Sequence, residues 1–258
     1  MKKIVVILLM STSTMIFADL GPSKVKTGKI EIPENKDYKL EADLSYLLNS
    51  SHSNGKGNSK ENLAANLLFQ RQVGVWGQEL KAQAVSANDD GDAGNNVERY
   101  MLSGKLLHRS TDTTYQYAKL QGDKDLSSSF DYQVALTSGA GLDVIKTAKQ
   151  ELIAEAGAGY RYSKINHDSS RSSSNDYNEL IGSLGMFYQY KFNDMVKFNQ
   201  DLGYDFGDKS QTLRSRTSVS ASLTTAVSGL VSYQIKNLQA DSGNSRDSLL
   251  SVGLRYRH

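Results

Sequence analysis

The residues of this chain that could do chemistry recur at every second position. Glu41 and Asp43, Glu79 and Lys81, Asp201 and Asp205, Arg214 and Arg216, and Arg255 and Arg257 are spaced by two or four residues. Such spacing puts side chains on one face of a β-strand. Lys39, Arg99, Lys105, Glu155, Arg161, Glu179, Lys191, Lys197 and Lys236 join that face when parity is carried through their segments. Bases outnumber acids in this set. Around water, such a face would favour small anions, because rings of charge select by sign. Paired sign to sign, the same residues would form an ion-pair lattice that fills and braces a barrel.

The other candidates are weaker. Asp89, Asp90 and Asp92 fail the spacing of a calcium loop and read as a solvated loop, or one loosely associated with divalent ions beside lipopolysaccharide. His52, His108, His167 and His258 are scattered and form no metal set. His108 falls on the outward face with no nucleophile in reach, so no enzyme is expected. Gly139, Gly141, Gly157 and Gly159 share the inward face of two consecutive segments, and no helix follows them to make a phosphate loop. They allow tight coiling of the wall, or leave room for something lying against it, such as residues 19–37 or a solute. No cofactor and no metal are expected. With no cysteine there is no disulfide, thiol chemistry or lipid-modified cysteine, which suits a chain crossing an oxidising periplasm. A net charge of +2 gives no argument for nucleic acid.

The elements that must position these residues are strands. Twelve alternating segments run roughly 38–50, 60–71, 76–87, 97–109, 113–122, 130–142, 150–163, 175–191, 195–206, 211–224, 227–238 and 247–258. In the last, Leu250, Val252, Leu254 and Tyr256 alternate with Leu249, Ser251, Gly253, Arg255 and Arg257. Proline is absent after Pro33, as strand interiors require. Connections alternate between long polar loops, the last two being Gly207–Ser210 and Gln239–Arg246, and tight turns. That is the asymmetry of outer-membrane barrels, whose short turns face the periplasm. Residues 1–18 read as a signal peptide, with Lys2 and Lys3 before the apolar run Ile4–Met10. Residues 19–37 read as a periplasmic lead-in, and 38–258 as the barrel. Mean hydropathy of −0.48 argues against a bundle of membrane helices.

Parity puts Leu40, Leu44, Leu48, Leu63, Leu67, Leu102, Leu106, Val134, Leu136, Val196, Leu202, Val219, Leu223, Val231 and Ile235 outward. Two aromatic belts follow. Phe69, Trp76, Tyr115, Tyr190, Phe198 and Tyr256 lie toward the short turns; Tyr46, Tyr100, Tyr132, Tyr160, Tyr204 and Tyr233 lie toward the long loops. Lys119 falls on the outward side of a poorly alternating fifth segment, which signals a bulge or a parity error there.

Several pieces resemble the YdiY-like family of salt-induced outer membrane proteins. They are Asn54-Gly55-Lys56-Gly57-Asn58-Ser59, Arg99-Tyr100-Met101-Leu102-Ser103-Gly104, Glu155-Ala156-Gly157-Ala158-Gly159-Tyr160-Arg161, Phe198-Asn199-Gln200-Asp201-Leu202 and Ser251-Val252-Gly253-Leu254-Arg255-Tyr256. The resemblance spans about Tyr38 to His258 and implies an outer-membrane barrel. It brings no established activity, so no functional residues are carried over. The final strand also looks like a barrel-assembly signal, with Gly253, Tyr256 and a terminal His258 where an aromatic ring is usual.

The expected architecture is an all-β, closed antiparallel transmembrane barrel of about twelve strands, ten being the alternative, with both termini periplasmic. Because lipid forbids open sheet edges, the sheet must close. The expected function is a narrow channel for small, anionic solutes in the outer membrane of a Gram-negative bacterium. The alternative is a closed structural barrel serving envelope integrity or salt adaptation. Expected partners are outer-membrane lipid, lipopolysaccharide and the barrel-assembly machinery, around a monomer.

Overall fold

The computed structural model describes residues 32, 36–50, 59–89, 97–125, 130–165, 176–241 and 243–257. Residues 1–18, most of 19–37, Asp90, Asp92, His52, His167 and His258 lie outside the described residues, so nothing is added to their expected roles. Twelve strands follow one another: β1 (Tyr38–Ser50), β2 (Ser59–Val73), β3 (Trp76–Asp89), β4 (Val97–Arg109), β5 (Thr114–Asp125), β6 (Phe130–Lys146), β7 (Gln150–Ile165), β8 (Tyr177–Lys191), β9 (Val196–Gly207), β10 (Ser210–Ser222), β11 (Val227–Ala240) and β12 (Gly243–Arg257). Each pairs antiparallel with its neighbours in sequence, and β1 pairs with β12, closing the ring. The alternation predicts this architecture, and the ten-strand alternative is excluded.

The faces are inverted relative to a protein with a hydrophobic core and a wet surface. Leu254 is 55 % exposed on the outside, while its neighbour Arg255 is 2 % exposed inside. Leu44, Leu102 and Leu136 are exposed outward, whereas Glu41, Asp43, Arg99 and Thr137 are buried inward.

The turns between even and odd strands are built by local chemistry. Gly74 and Val75 join β2 to β3, with Gly74 at φ +58°, a conformation that glycine adopts without steric strain. In the other four turns a side-chain oxygen accepts the backbone N–H three residues on: Thr111 from Thr114 at 3.0 Å, Thr147 from Gln150 at 2.9 Å, Asn193 from Val196 at 2.7 Å and Thr224 from Val227 at 3.0 Å. Each side chain satisfies a donor as the strand begins.

Two expectations need correction. The connections Gly207–Ser210 and Gln239–Arg246 are not long loops. β9 and β10 are separated only by residues 208–209, and β11 and β12 by 241–242. Register partners such as Asn237↔Arg246 and Leu238↔Ser245 continue the ladder through residues whose polar composition reads as loop. The other concerns β5, whose parity is reversed. Gln116, Ala118 and Leu120 face outward, so Tyr115 and Tyr117 are buried inside and Tyr115 belongs to no outer belt. Lys119 accordingly lines the interior, beside Lys105, Glu155 and Asp205.

Candidate functional site

The interior is built strand by strand from the two-residue period. On β1 the period brings Glu41 and Asp43 inward, and on β12 it brings Arg255 and Arg257 inward. Register sets Glu41 opposite Arg257 and Asp43 opposite Arg255. Arg255 donates Nε to Asp43 Oδ1 and Nη2 to Oδ2, both at 2.6 Å. Such a planar, two-point match is among the stronger charged contacts. Arg257 donates Nε to Glu41 Oε1 at 3.2 Å, and Lys39 Nζ lies 3.0 Å from the same oxygen. From β10, Arg216 Nη2 lies 3.6 Å from Asp43 Oδ2.

A second group centres on Glu155 of β7. Lys105 Nζ of β4 donates to Glu155 Oε1 at 2.6 Å, and the Tyr115 hydroxyl donates to the same oxygen. Lys105 Nζ also sits 4.3 Å from the centroid of the Tyr117 ring, close enough for a cation–π contact. Nearby, Gln70 Nε2 donates to Glu79 Oε2 at 2.7 Å, and Lys81 Nζ is 3.4 Å from Glu79 Oε1.

The inward glycines make this group possible. Tyr115 lies opposite Gly141 in register and Tyr117 opposite Gly139. A Cβ at Gly141 would strike the Tyr115 ring, and one at Gly157 would meet the Tyr117 hydroxyl. The two rings therefore lie flat across β6 toward β7. The room left at Gly141 and Gly157 is taken by the Tyr115 and Tyr117 side chains of β5, and Ile32 of the 19–37 segment packs against the same cluster. At Gly139 and Gly159 a Cβ would instead meet the main chain of the adjoining strand, so there the strands themselves approach closely.

Toward the opposite end, Arg161 of β7 donates Nε and Nη2 to Glu179 Oε1 of β8 at 3.0 and 2.8 Å. Its Nη2 also donates to the Ser210 carbonyl and hydroxyl of β10 at 3.0 and 2.6 Å. Glu179 additionally accepts the backbone N–H groups of Lys209 and Ser210 at 3.0 and 3.2 Å. Arg214 pairs with Asp205, which also accepts from Ser183 Oγ at 2.6 Å. Arg99 and Asp201 are buried on the same inner surface.

Three of these contacts join strands three places apart: Lys105–Glu155 from β4 to β7, Arg161–Ser210 from β7 to β10, and Arg216–Asp43 from β10 to β1. In a ring of twelve, each such contact is a chord across a quarter of the circumference. Apolar clusters pack beside them. Leu107, Tyr115, Tyr117, Ile153 and Phe187 form one near the short turns, with Ile32 of the N-terminal segment packed against it. Phe130, Ile165, Tyr177 and Leu238 form the other, near the opposite mouth. Phe130 turns inward because a bulge precedes Tyr132.

Between the side chains lie cavities of about 60 Å³, bordered by Glu41, Asp43, Lys81, Asp201, Arg216 and Arg255, and about 30 Å³, bordered by Glu79, Lys81, Lys105, Lys119, Asp205 and Arg214. A single water occupies roughly 10–15 Å³ by this kind of measure, so each has room for only a few. Among the described residues no three acids or histidines gather as a metal site.

On the outside, Tyr46, Trp76, Tyr100, Tyr132, Tyr160, Tyr233 and Tyr256 are exposed, and Phe69, Phe198 and Tyr204 are partly so. The His108 ring lies 4.7 Å from the Trp76 ring and is tilted by 59° to it. Gly253 faces inward at the seam, where a Cβ would strike the Leu44 carbonyl and Ser45 of β1. Sequence reasoning missed the inward roles of Tyr115, Tyr117, Lys119, Leu107, Ile153 and Phe187. A signal was present: two aromatics spaced by two, on the segment beside two inward Gly-x-Gly pairs.

A family model described as a protein of unknown function, DUF481, matches residues 34–258. No curated protein matches the chain. Among solved structures, the NanC porin shares 9 % identity at a TM-score of 0.52, over 84 % of this chain and 98 % of that one. An outer membrane channel from Pseudomonas putida F1 shares 12 % at 0.49, over 88 % and 100 %. The translocator domain of the autotransporter NalP from Neisseria meningitidis shares 12 % at 0.49, over 88 % and 90 %. At these identities the likeness is one of fold.

Proposed function

The chain belongs to the DUF481 family of proteins of unknown function, and we propose that it is an outer-membrane β-barrel whose braced interior supports the envelope instead of forming a wide pore. A closed barrel with leucines and tyrosines outside and paired charges inside is suited to lipid around it, because contiguous apolar surface of that extent is not left in water. The observation that carries the closed reading is the set of chords linking β1, β4, β7 and β10, with Lys105, Glu155, Arg161 and Asp43 each at most 8 % exposed. Charges lining an open aqueous lumen would stay accessible to water. The family resemblance to salt-induced proteins fits a barrel that resists osmotic stress without leaking solute.

Planar-bilayer recording tests this. Purified protein should insert without conductance steps on the scale of a general porin, and a deletion strain should lose growth at raised osmolarity. Porin-sized steps would overturn the closed reading.

A second reading has its own support. Lys81, Lys119 and Arg216 are only partly buried and border the two inner cavities. With Arg99, Arg161, Arg214 and Arg255 they would line a narrow path for small anions. Reversal potentials in a salt gradient decide it. Small anion-selective steps support this path, and their absence or a cation preference sinks it.

A further inference from the structure

The outer wall is not uniformly convex. A groove of about 980 Å³ crosses its lipid-directed face from β12 and β1 to β6. Two rows of register partners make it. One runs Leu44, Ala65, Ala84, Tyr100, Lys124 and Tyr132. The other runs Ala42, Leu67, Ala82, Leu102, Gly122 and Val134. Ala42, Ala65, Ala82, Ala84 and Gly122 form the floor, while Leu44, Leu67, Leu102, Tyr100 and Val134 stand as walls.

Barrel strands tilt by about 35–45° to the axis, so a row perpendicular to the strands climbs as it goes round. Ala42 lies near the start of β1, at the short-turn end, and Lys124 near the end of β5, at the opposite rim. The groove is apolar along its run and reaches a cation where it meets that rim. Lys124 is exposed between the flanking Tyr100 and Tyr132, and among the described residues no carboxylate pairs with it. Lys164, the next register partner of Tyr132, holds its Nζ 5.6 Å from that ring's centroid and 3.5 Å from Asp131 Oδ2. Adjacent strands lie about 4.8 Å apart, so the two lysines, two strands apart, have backbones roughly 10 Å from each other.

A long apolar trough that ends at Lys124, with Lys164 on the next strand beyond its edge, complements a ligand with several acyl chains and two separated phosphates. We infer that this groove seats the diphosphorylated, multiply acylated lipid A part of lipopolysaccharide, with acyl chains over the alanine floor and phosphates at Lys124 and Lys164. A singly phosphorylated phospholipid fits the cation pair less well. A second copy of the chain would present the same concave surface and the same positive charge. The inference rests on the outer-membrane reading above.

Native mass spectrometry of the full mature protein in non-ionic detergent tests it. Lipid A, monophosphoryl lipid A, phosphatidylglycerol and inorganic phosphate are added in separate arms. Lipid A adducts should dominate. They should fall about tenfold in Lys124→Glu, which reverses a charged contact, and comparably in Ala84→Phe, which fills the floor. Heat-modifiable mobility on gels verifies that both variants remain folded barrels. Equal adducts in wild type and both folded variants would overturn the site, as would equal uptake of phosphatidylglycerol, binding of phosphate alone, or dimers in place of adducts. If the chain fractionates away from the outer membrane, the location reading fails. If it resides there and takes up no lipid A, the groove inference alone fails.

Discussion

Tyr115 of β5 lies across Gly141 of β6 and donates its hydroxyl to Glu155 of β7, so one side chain fastens three strands. Gly141→Ala should displace the ring and lower stability by ~1–3 kcal/mol, the usual range for overpacking. Tyr115→Ser should cost less in the Gly141→Ala background than in the wild type, because the clash it relieves is there only in the variant. Gly139→Ala, whose methyl would meet the Ala156 carbonyl, should gain nothing from Tyr117→Ser. Urea unfolding followed by gel mobility distinguishes the two cases.

The buried Lys105–Glu155 pair should respond unequally to its possible replacements. Glu155→Ala strands a buried ammonium group and should destabilise by ~3–5 kcal/mol. Replacing both residues with methionine should be much milder, because no uncompensated charge remains. Equal losses in the single and the double variant would mean that the pair is not coupled.

Cutting the three chords together, as Lys105→Ser, Arg161→Ser and Arg216→Ser, should turn a barrel that is silent in bilayers into a conducting one. Unchanged conductance in a folded triple variant would show that the chords do not hold the lumen shut.

At the seam, a double-mutant cycle on Asp43 and Arg255 should return a coupling energy of ~1–3 kcal/mol, as for groups in one hydrogen-bond network. Thermal scans of the barrel in detergent give the four stabilities required.

Trp76 is the sole tryptophan and is half exposed on the outer surface. Its fluorescence in proteoliposomes should be quenched by lipids brominated on the acyl chains and little affected by aqueous iodide. The reverse pattern would place the outer face in water.

Much of the fold was legible because membrane barrels write it in parity. A residue such as Leu254 can be assigned outward once Arg255 is assigned inward, and one consistent alternation fixes a whole strand. Parity failed in β5, where Tyr115 and Tyr117 alternate with Gln116 and Ala118. There the large rings mark the packed inner side, and the outer side carries small and polar residues. It failed again at residues 239–246, where polar ladders extend past the apolar band and composition cannot separate strand from loop. The charged interior residues could be grouped on one face from spacing alone. Their partners could not, because Lys105 with Glu155 and Arg216 with Asp43 meet across the lumen, at distances in sequence that no local pattern encodes.

The contact between Arg255 and Asp43 makes the barrel a check on its own completeness. Asp43 and its guanidinium partner are separated by 212 residues of chain. A chain that lacks β12 presents a first strand with one unpaired edge, and an Asp43 without the two-point contact to Arg255. Such a fragment cannot close the ring, because the β1–β12 seam forms only when both strands are present.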